Sequence, residues 1–180
     1  MFHANTQRMI DYWTVRAAPG LAPTRASIDP GAFPHLVDQA FILGRAGRGR
    51  YTLRLAGGLL TSLHGRDLRG CDGLALWSEH DQARLASALE EARRDAGPLV
   101  VMAEAMSEGP SLSIEVLFAP LSAPLGGVER YLGLYQPLGP VARLAGRPVQ
   151  ALAVRALHRP AGPTARVHTL RLNLGVRRIA

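Results

Sequence analysis

Apolar and polar positions change period several times along this chain, and each change marks an element. Tyr51, Leu53 and Leu55 alternate with Thr52, Arg54 and Ala56, the period of a half-buried strand. Gly57-Gly58 stops that strand, because paired glycines supply backbone angles that bulky residues resist. Leu59, Leu60 and Leu63 then recur at helical spacing, and His64 to Gly70 follows as a polar turn with Leu68 pointing inward. Upstream, Ala40 to Gly44 reads as a short apolar strand, so Arg45 to Arg50 becomes the glycine-rich turn of a hairpin. Its three arginines resemble a phosphate loop only superficially, since no Walker lysine and no following helix accompany them.

The flanks have the same kind of punctuation. Residues 5–18 are helical by period, with Met9, Ile10, Trp13 and Ala17 on one face, Asn5 or Thr6 as cap and Pro19-Gly20 as stop. Tyr12-Trp13 reads as an aromatic anchor that docks this helix on the body. A proline-bearing connector covers 21–36, where Ser27 and Asp29 suit caps and Asp29-Pro30 suits a helix start. Ser78 opens the best helix, 79–96, with Leu85, Ala86 and Leu89 buried and Gly97-Pro98 as its end. Three strands follow, over 99–106, 112–121 and 129–136. The order predicts an α+β fold, a mainly antiparallel sheet with helices packed on one face.

After Pro137-Leu-Gly-Pro140 the character changes, and a boundary is expected near residue 140. It separates an N-terminal helix and connector (1–36) and a body (37–140) from a partly flexible extension (141–180). Val149, Leu152, Ala153, Ala156 and Leu157 have helical spacing there, whereas Leu170, Leu172, Leu174 and Val176 alternate like a strand.

Charge sharpens that division. All 21 basic residues are arginine. Residues 1–140 carry 13 of them with all 14 acids, whereas 141–180 carry the other 8 and no acid. The body is therefore electrically ordinary and the extension strongly basic. The absence of lysine fits a GC-rich genome better than selection for phosphate binding. At 47% hydrophobic and 19% charged, the 180 residues suit a folded domain. No apolar run is long enough for a membrane helix and no secretory signal is visible. The single cysteine, Cys71, suits a reducing cytoplasm.

Four stretches go further: Tyr12-Trp13, Pro23 to Pro30, Tyr51 to Gly57 and Gly65 to Gly70. With Ala119-Pro120-Leu121 and Arg130 to Leu134, they resemble the fifth PAS family, a bacterial group, over about residues 5–138. The resemblance implies a five-stranded sheet with helices folded over one face, enclosing a space for a small ligand. Leu55, Leu60, His64, Trp77 and Tyr131 are the residues expected to wall that space. Trp13, Asp29, Arg54, Gly57, Gly65, Asp67 and Gly70 carry the family pattern and are expected to be architectural, with Arg54 pairing with Asp29 or Asp67.

Candidate chemistry is sparse. A histidine beside such a space suggests haem, but Gly65-Arg66 after His64 indicate a surface turn. Cys71 lacks the Asn-Cys-Arg setting of a flavin-adduct cysteine. Haem and flavin are thus both disfavoured, and any cofactor is unknown. Glu79-His80-Asp81 reads as a helix cap, and no hydrolase, metalloprotease or Cys-x-x-Cys motif occurs. The resemblance implies a non-catalytic cytoplasmic module of bacterial signalling, working through a signalling protein, a homodimer or a small ligand. The alternative is a basic-tail adaptor whose residues 141–180 hold nucleic acid or an anionic membrane. That extension lacks aromatic residues for base stacking.

Overall fold

The computed structural model describes residues 1–47, 49–124 and 127–160. The strand expected over 170–176 and half of the extension's arginines lie outside the described residues. Within them the elements are α1 (Ala4–Arg16), β1 (Ala40–Gly47), β2 (Arg50–Ala56), α2 (Gly58–His64), α3 (Glu79–Arg94), β3 (Leu99–Met106), β4 (Leu112–Ser122), β5 (Val128–Pro137) and β6 (Ala151–His158). Three short 3-10 turns, Arg25–Ser27, Pro30–Ala32 and Pro34–Gln39, make up the connector.

All six strands join one antiparallel sheet in the order β2-β1-β5-β4-β3-β6. Residues paired across strands share a face, so the ladder sorts the side chains. Phe41, Leu43, Val116, Phe118, Tyr131 and Tyr135 point to the inner face, beneath α2 and α3. Ile42, Leu117, Ala119, Leu132 and Leu134 point to the outer face.

The outer face is covered too, which corrects the expectation of helices on one side only. Met9, Ile10 and Trp13 of α1 are buried, and the Trp13 indole N–H donates to the Pro120 carbonyl at 2.7 Å. Glu115 accepts from the His3 amide at 3.0 Å, and Asn5 donates to Gln136 at 2.9 Å. His3, rather than Asn5 or Thr6, caps the helix, its ring nitrogen accepting from the Asn5 amide. A layer on each side explains why β4 is buried almost continuously instead of alternating.

The sixth strand is the larger correction. Residues 151–158, expected as a helix beyond a boundary near 140, pair with β3 from Met106↔Ala151 to Val100↔His158. Leu152, Ala153, Ala156 and Leu157 fit either period over so short a run. Burial against the open β3 edge selected the strand. A bulge at Arg155, opposite the Met102–Ala103 step, adds the residue that made the spacing look helical.

Both sheet edges are covered. Leu53 donates to Cys71 O (3.0 Å) and accepts from Gly70 N (2.8 Å), so the loop after α2 shields β2. On β6, the Ser78 amide donates to Leu152 O at 2.8 Å and the Val154 amide to Asp81 Oδ2 at 2.9 Å.

Candidate functional site

The inner face is where the sequence places a ligand space. Phe41, Leu43, Leu60, Trp77, Phe118 and Tyr135 surround it, together with Leu152 from β6. Its volume is about 20 Å³, hardly more than the roughly 10–15 Å³ that one water occupies. Aromatic rings fill the rest. Phe118 meets Phe41 edge-on at 5.5 Å between centroids, Tyr131 at 6.3 Å and Trp77 at 6.4 Å. The Phe41 ring lies over Gly133, where any Cβ would collide with it, so that position has to be glycine.

Polar anchors hold the helical cover down. Glu90 on α3 accepts from Arg45 (2.8 Å) and Tyr51 (2.9 Å) through one oxygen and from Arg93 (2.8 Å) through the other. Burial pushes this carboxyl up, but the three donors outweigh it and hold it at about 2. The Glu90 bond likewise raises the Arg45 guanidinium, so Arg45 belongs to β1 as an anchor rather than to a solvated turn. The Tyr131 hydroxyl donates to the Leu89 carbonyl at 2.7 Å, and burial raises both Tyr51 and Tyr131. Asp81, only 4% exposed, also accepts from the Ser78 hydroxyl at 2.6 Å. Burial opposes its charge, yet the hydroxyl and the Val154 amide keep its pKa lowered.

The family model for the PAS domain matches residues 1–136. The chain belongs to the PAS domain family. PAS domains are sensory and regulatory modules, and the sixth strand of this one lies beyond the matched stretch. No curated protein matches the chain. Similar solved structures include a light-oxygen-voltage domain studied with a flavin analogue, with a TM-score of 0.46, 16% identity and coverage of 64% of this chain and 87% of that one. A light-oxygen-voltage protein of Rhodobacter sphaeroides has a TM-score of 0.46 and 14% identity over 66% of this chain and 74% of its own. An RNA-binding light-oxygen-voltage receptor has a TM-score of 0.46 and 17% identity over 68% and 37%. Likeness at this level carries no argument about ligand or chemistry.

The five residues expected to wall the PAS cavity separate into four groups. Leu60 and Trp77 line it. Tyr131 wedges between the sheet and α3 through its ring contacts and its hydroxyl. His64 is not in a surface turn: it is 6% exposed, with Nε2 3.3 Å from the Tyr135 hydroxyl. Burial, then the Arg66 charge, lowers its pKa to about 4, so the ring is neutral near pH 7. The polar turn begins one residue later, at Gly65 with φ +63, where the left-handed end of α2 favours glycine.

Leu55 lies on the other side of the sheet. Ile42 pairs with Leu55 and Leu43 with Leu53, so Arg54 is an extra residue. That bulge breaks the strict alternation and turns Leu55 to the outer face beside Ile42.

The pattern residues are distributed through the frame. Asp29 accepts from the Gly31 amide at 2.8 Å, and Gly57 passes too close to the Asp38 carbonyl for a side chain. Gly70 has φ +80 in the turn beside β2. Arg54 pairs with neither Asp29 nor Asp67: its side chain lies exposed over Gly44, while Asp67 pairs with Arg69 at 2.9 Å. Arg69 is two residues away, closer along the chain than any strand partner.

Among the residues that matter here, sequence reasoning overlooked Leu152, Tyr135 and Asp81. Tyr135 was findable, since it shares the alternation of Tyr131 and Gly133. Asp81 looked like any first-turn helix acid, and its bond to the Val154 amide appears only once β6 is in place.

Proposed function

We propose that this PAS domain is a non-catalytic regulatory module of the cytoplasm, acting by docking on a signalling protein or on a second copy of itself. The observation that carries the reading is how little space the inner face leaves, about 20 Å³ behind four aromatic rings. A ligand larger than water would have to displace Trp77 or Phe41, each packed edge-on or tilted against Phe118. A rigid, filled interior presents a fixed outer surface, which suits recognition by contact. Among the described residues no three His, Cys, Asp or Glu side chains form a metal-holding group, and no helix is long and apolar enough to cross a membrane.

Native mass spectrometry, an absorbance spectrum and light scattering of the purified full chain test this. The expected result is a spectrum of protein alone with a mass matching one or two bare chains. A stoichiometric chromophore or internal ligand would overturn docking as the sole mode of action and return the cavity to a sensing role.

A second reading has its own observation, the 8 arginines and no acid of residues 141–180. An adaptor for nucleic acid or an anionic membrane would bind through them, with affinity falling steeply as salt rises. Because β6 belongs to the sheet, the right variant keeps it: Arg143, Arg147, Arg166, Arg171, Arg177 and Arg178 changed to glutamine. Unchanged binding to duplex DNA and to phosphatidylserine vesicles in that variant removes this reading.

A further inference from the structure

A groove of about 290 Å³ runs between the connector and the outer face of the sheet. Ile42, Leu55 and Leu132 form its floor, and Ile28, Phe33 and Val37 its opposite wall. Leu55 and Val37 are 46% and 43% exposed at its mouth. Arg25 and Leu121 close one end and also border a second hollow of about 410 Å³, which Glu129 and Arg130 line. Among the described residues, none of Arg25, Arg130 and Glu129 takes part in an ion pair. An apolar trough therefore opens into a compartment holding two guanidinium groups and one carboxylate.

We propose that this groove binds a free amphipathic carboxylate, a medium-chain fatty acid, with its tail over Ile42, Leu55 and Leu132 and its head between Arg25 and Arg130. The volume, about 290 Å³, lies just below the range of drug-sized ligand pockets, roughly 300 to 1,000 Å³, and suits a small amphiphile. An apolar floor with one charged end matches an amphiphile better than a wholly apolar or wholly polar molecule. An extended peptide gains little here, because the groove lies on a sheet face whose backbone groups are already paired in the β1·β2 and β1·β5 ladders. A bilayer needs a protruding apolar face, whereas this one is recessed. The site is separate from the inner cavity and does not depend on how that cavity is used.

The test is titration of the full-length protein with decanoate below its micellar range, by calorimetry and by amide chemical shifts. Saturable binding is expected, with shifts at Ile42, Leu55 and Leu132. Decanol, with the same tail and no charge, binds roughly two- to fivefold more weakly, the range of an exposed ion pair. Arg25→Gln weakens decanoate by the same factor and leaves decanol unchanged. Leu55→Asp weakens both about tenfold through lost apolar contact and a polar intrusion. Both positions are exposed, and an unchanged melting temperature confirms that the variants fold. Equal affinity for decanol and decanoate, indifference to both substitutions, shifts confined to Leu60 and Trp77, or affinity for anionic vesicles without any for decanoate would each overturn the proposal.

Discussion

The same strands build two unlike surfaces. On β1, Phe41 points into a space of about 20 Å³ and its neighbour Ile42 floors a groove of about 290 Å³. The inner face is packed with aromatic rings and the floor of the groove with aliphatic side chains, and the covering elements differ as well. The inner face meets α3, a four-turn helix pinned by Glu90, Tyr131 and Asp81, and over the cavity itself Leu60 of α2 and the Trp77 ring fill the space against Phe118. Over the groove, the outer face meets a connector of 3-10 turns punctuated by Pro30 and Pro34. The aliphatic side chains beneath those turns leave a gap of the kind that rings fill on the inner face.

Substitutions that treat the faces unequally give the sharpest test. Phe118→Ala removes the ring at the centre of the inner cluster and should cost about 3–5 kcal/mol, read as a lower urea midpoint. A value below about 1 kcal/mol would mean the inner face is looser than its ring geometry.

Acid should act next most strongly. His64 is held at about 4 against an ordinary 6.5, so between those values the unfolded chain binds a proton that the fold refuses. Stability should fall by about 3 kcal/mol as pH drops from 6.5 to 4. Glu90, held at about 2 against 4.5, adds a further loss as pH falls from 4.5 towards 2. In His64→Gln the upper segment of the pH–stability curve should flatten while the lower one persists.

Gly133→Ala drives a methyl into the Phe41 ring and should cost about 1–3 kcal/mol, with Phe41→Leu relieving part of it in a double-mutant cycle. Asp81→Ala leaves the Val154 amide without its acceptor and should cost a similar 1–3 kcal/mol. Hydrogen exchange should locate that loss, Val154 becoming less protected while Leu117 in the sheet centre is unchanged. The smallest effect belongs to the groove: Leu55→Ala should change stability by less than about 0.5 kcal/mol, since the side chain already stands half in water.

How much of this was legible depends on whether a residue's partner is near in sequence. The β1·β2 hairpin, the long helix and the run β3, β4, β5 are local patterns, and their periods announce them. Trp13 was readable as an anchor, although its acceptor is Pro120, because a tryptophan on the apolar face of a helix needs something to pack on. Leu55 failed for a reason invisible to periodicity: the bulge at Arg54 is set by the register with β1, not by β2 itself. His64 failed because its burial comes from β5 and from residues 148–149, more than seventy positions downstream. The 151–158 strand failed because an apolar run of this length takes its conformation from the edge it meets.

That last strand also determines how anything attached beyond residue 160 is mechanically rooted. Arg159 reaches Asp95 at 2.9 Å, at the C-terminal end of α3, just past the last β3·β6 pair at Val100↔His158. A pull on the chain from that side meets the Arg159–Asp95 pair first and then the β3·β6 ladder from its His158 end. The rungs would part in sequence before the Val154–Asp81 bond and Leu152 in the cavity wall were reached. The chain up to residue 160 is thus joined to the sheet by a zipper whose far end, at Leu152, lines the inner cavity.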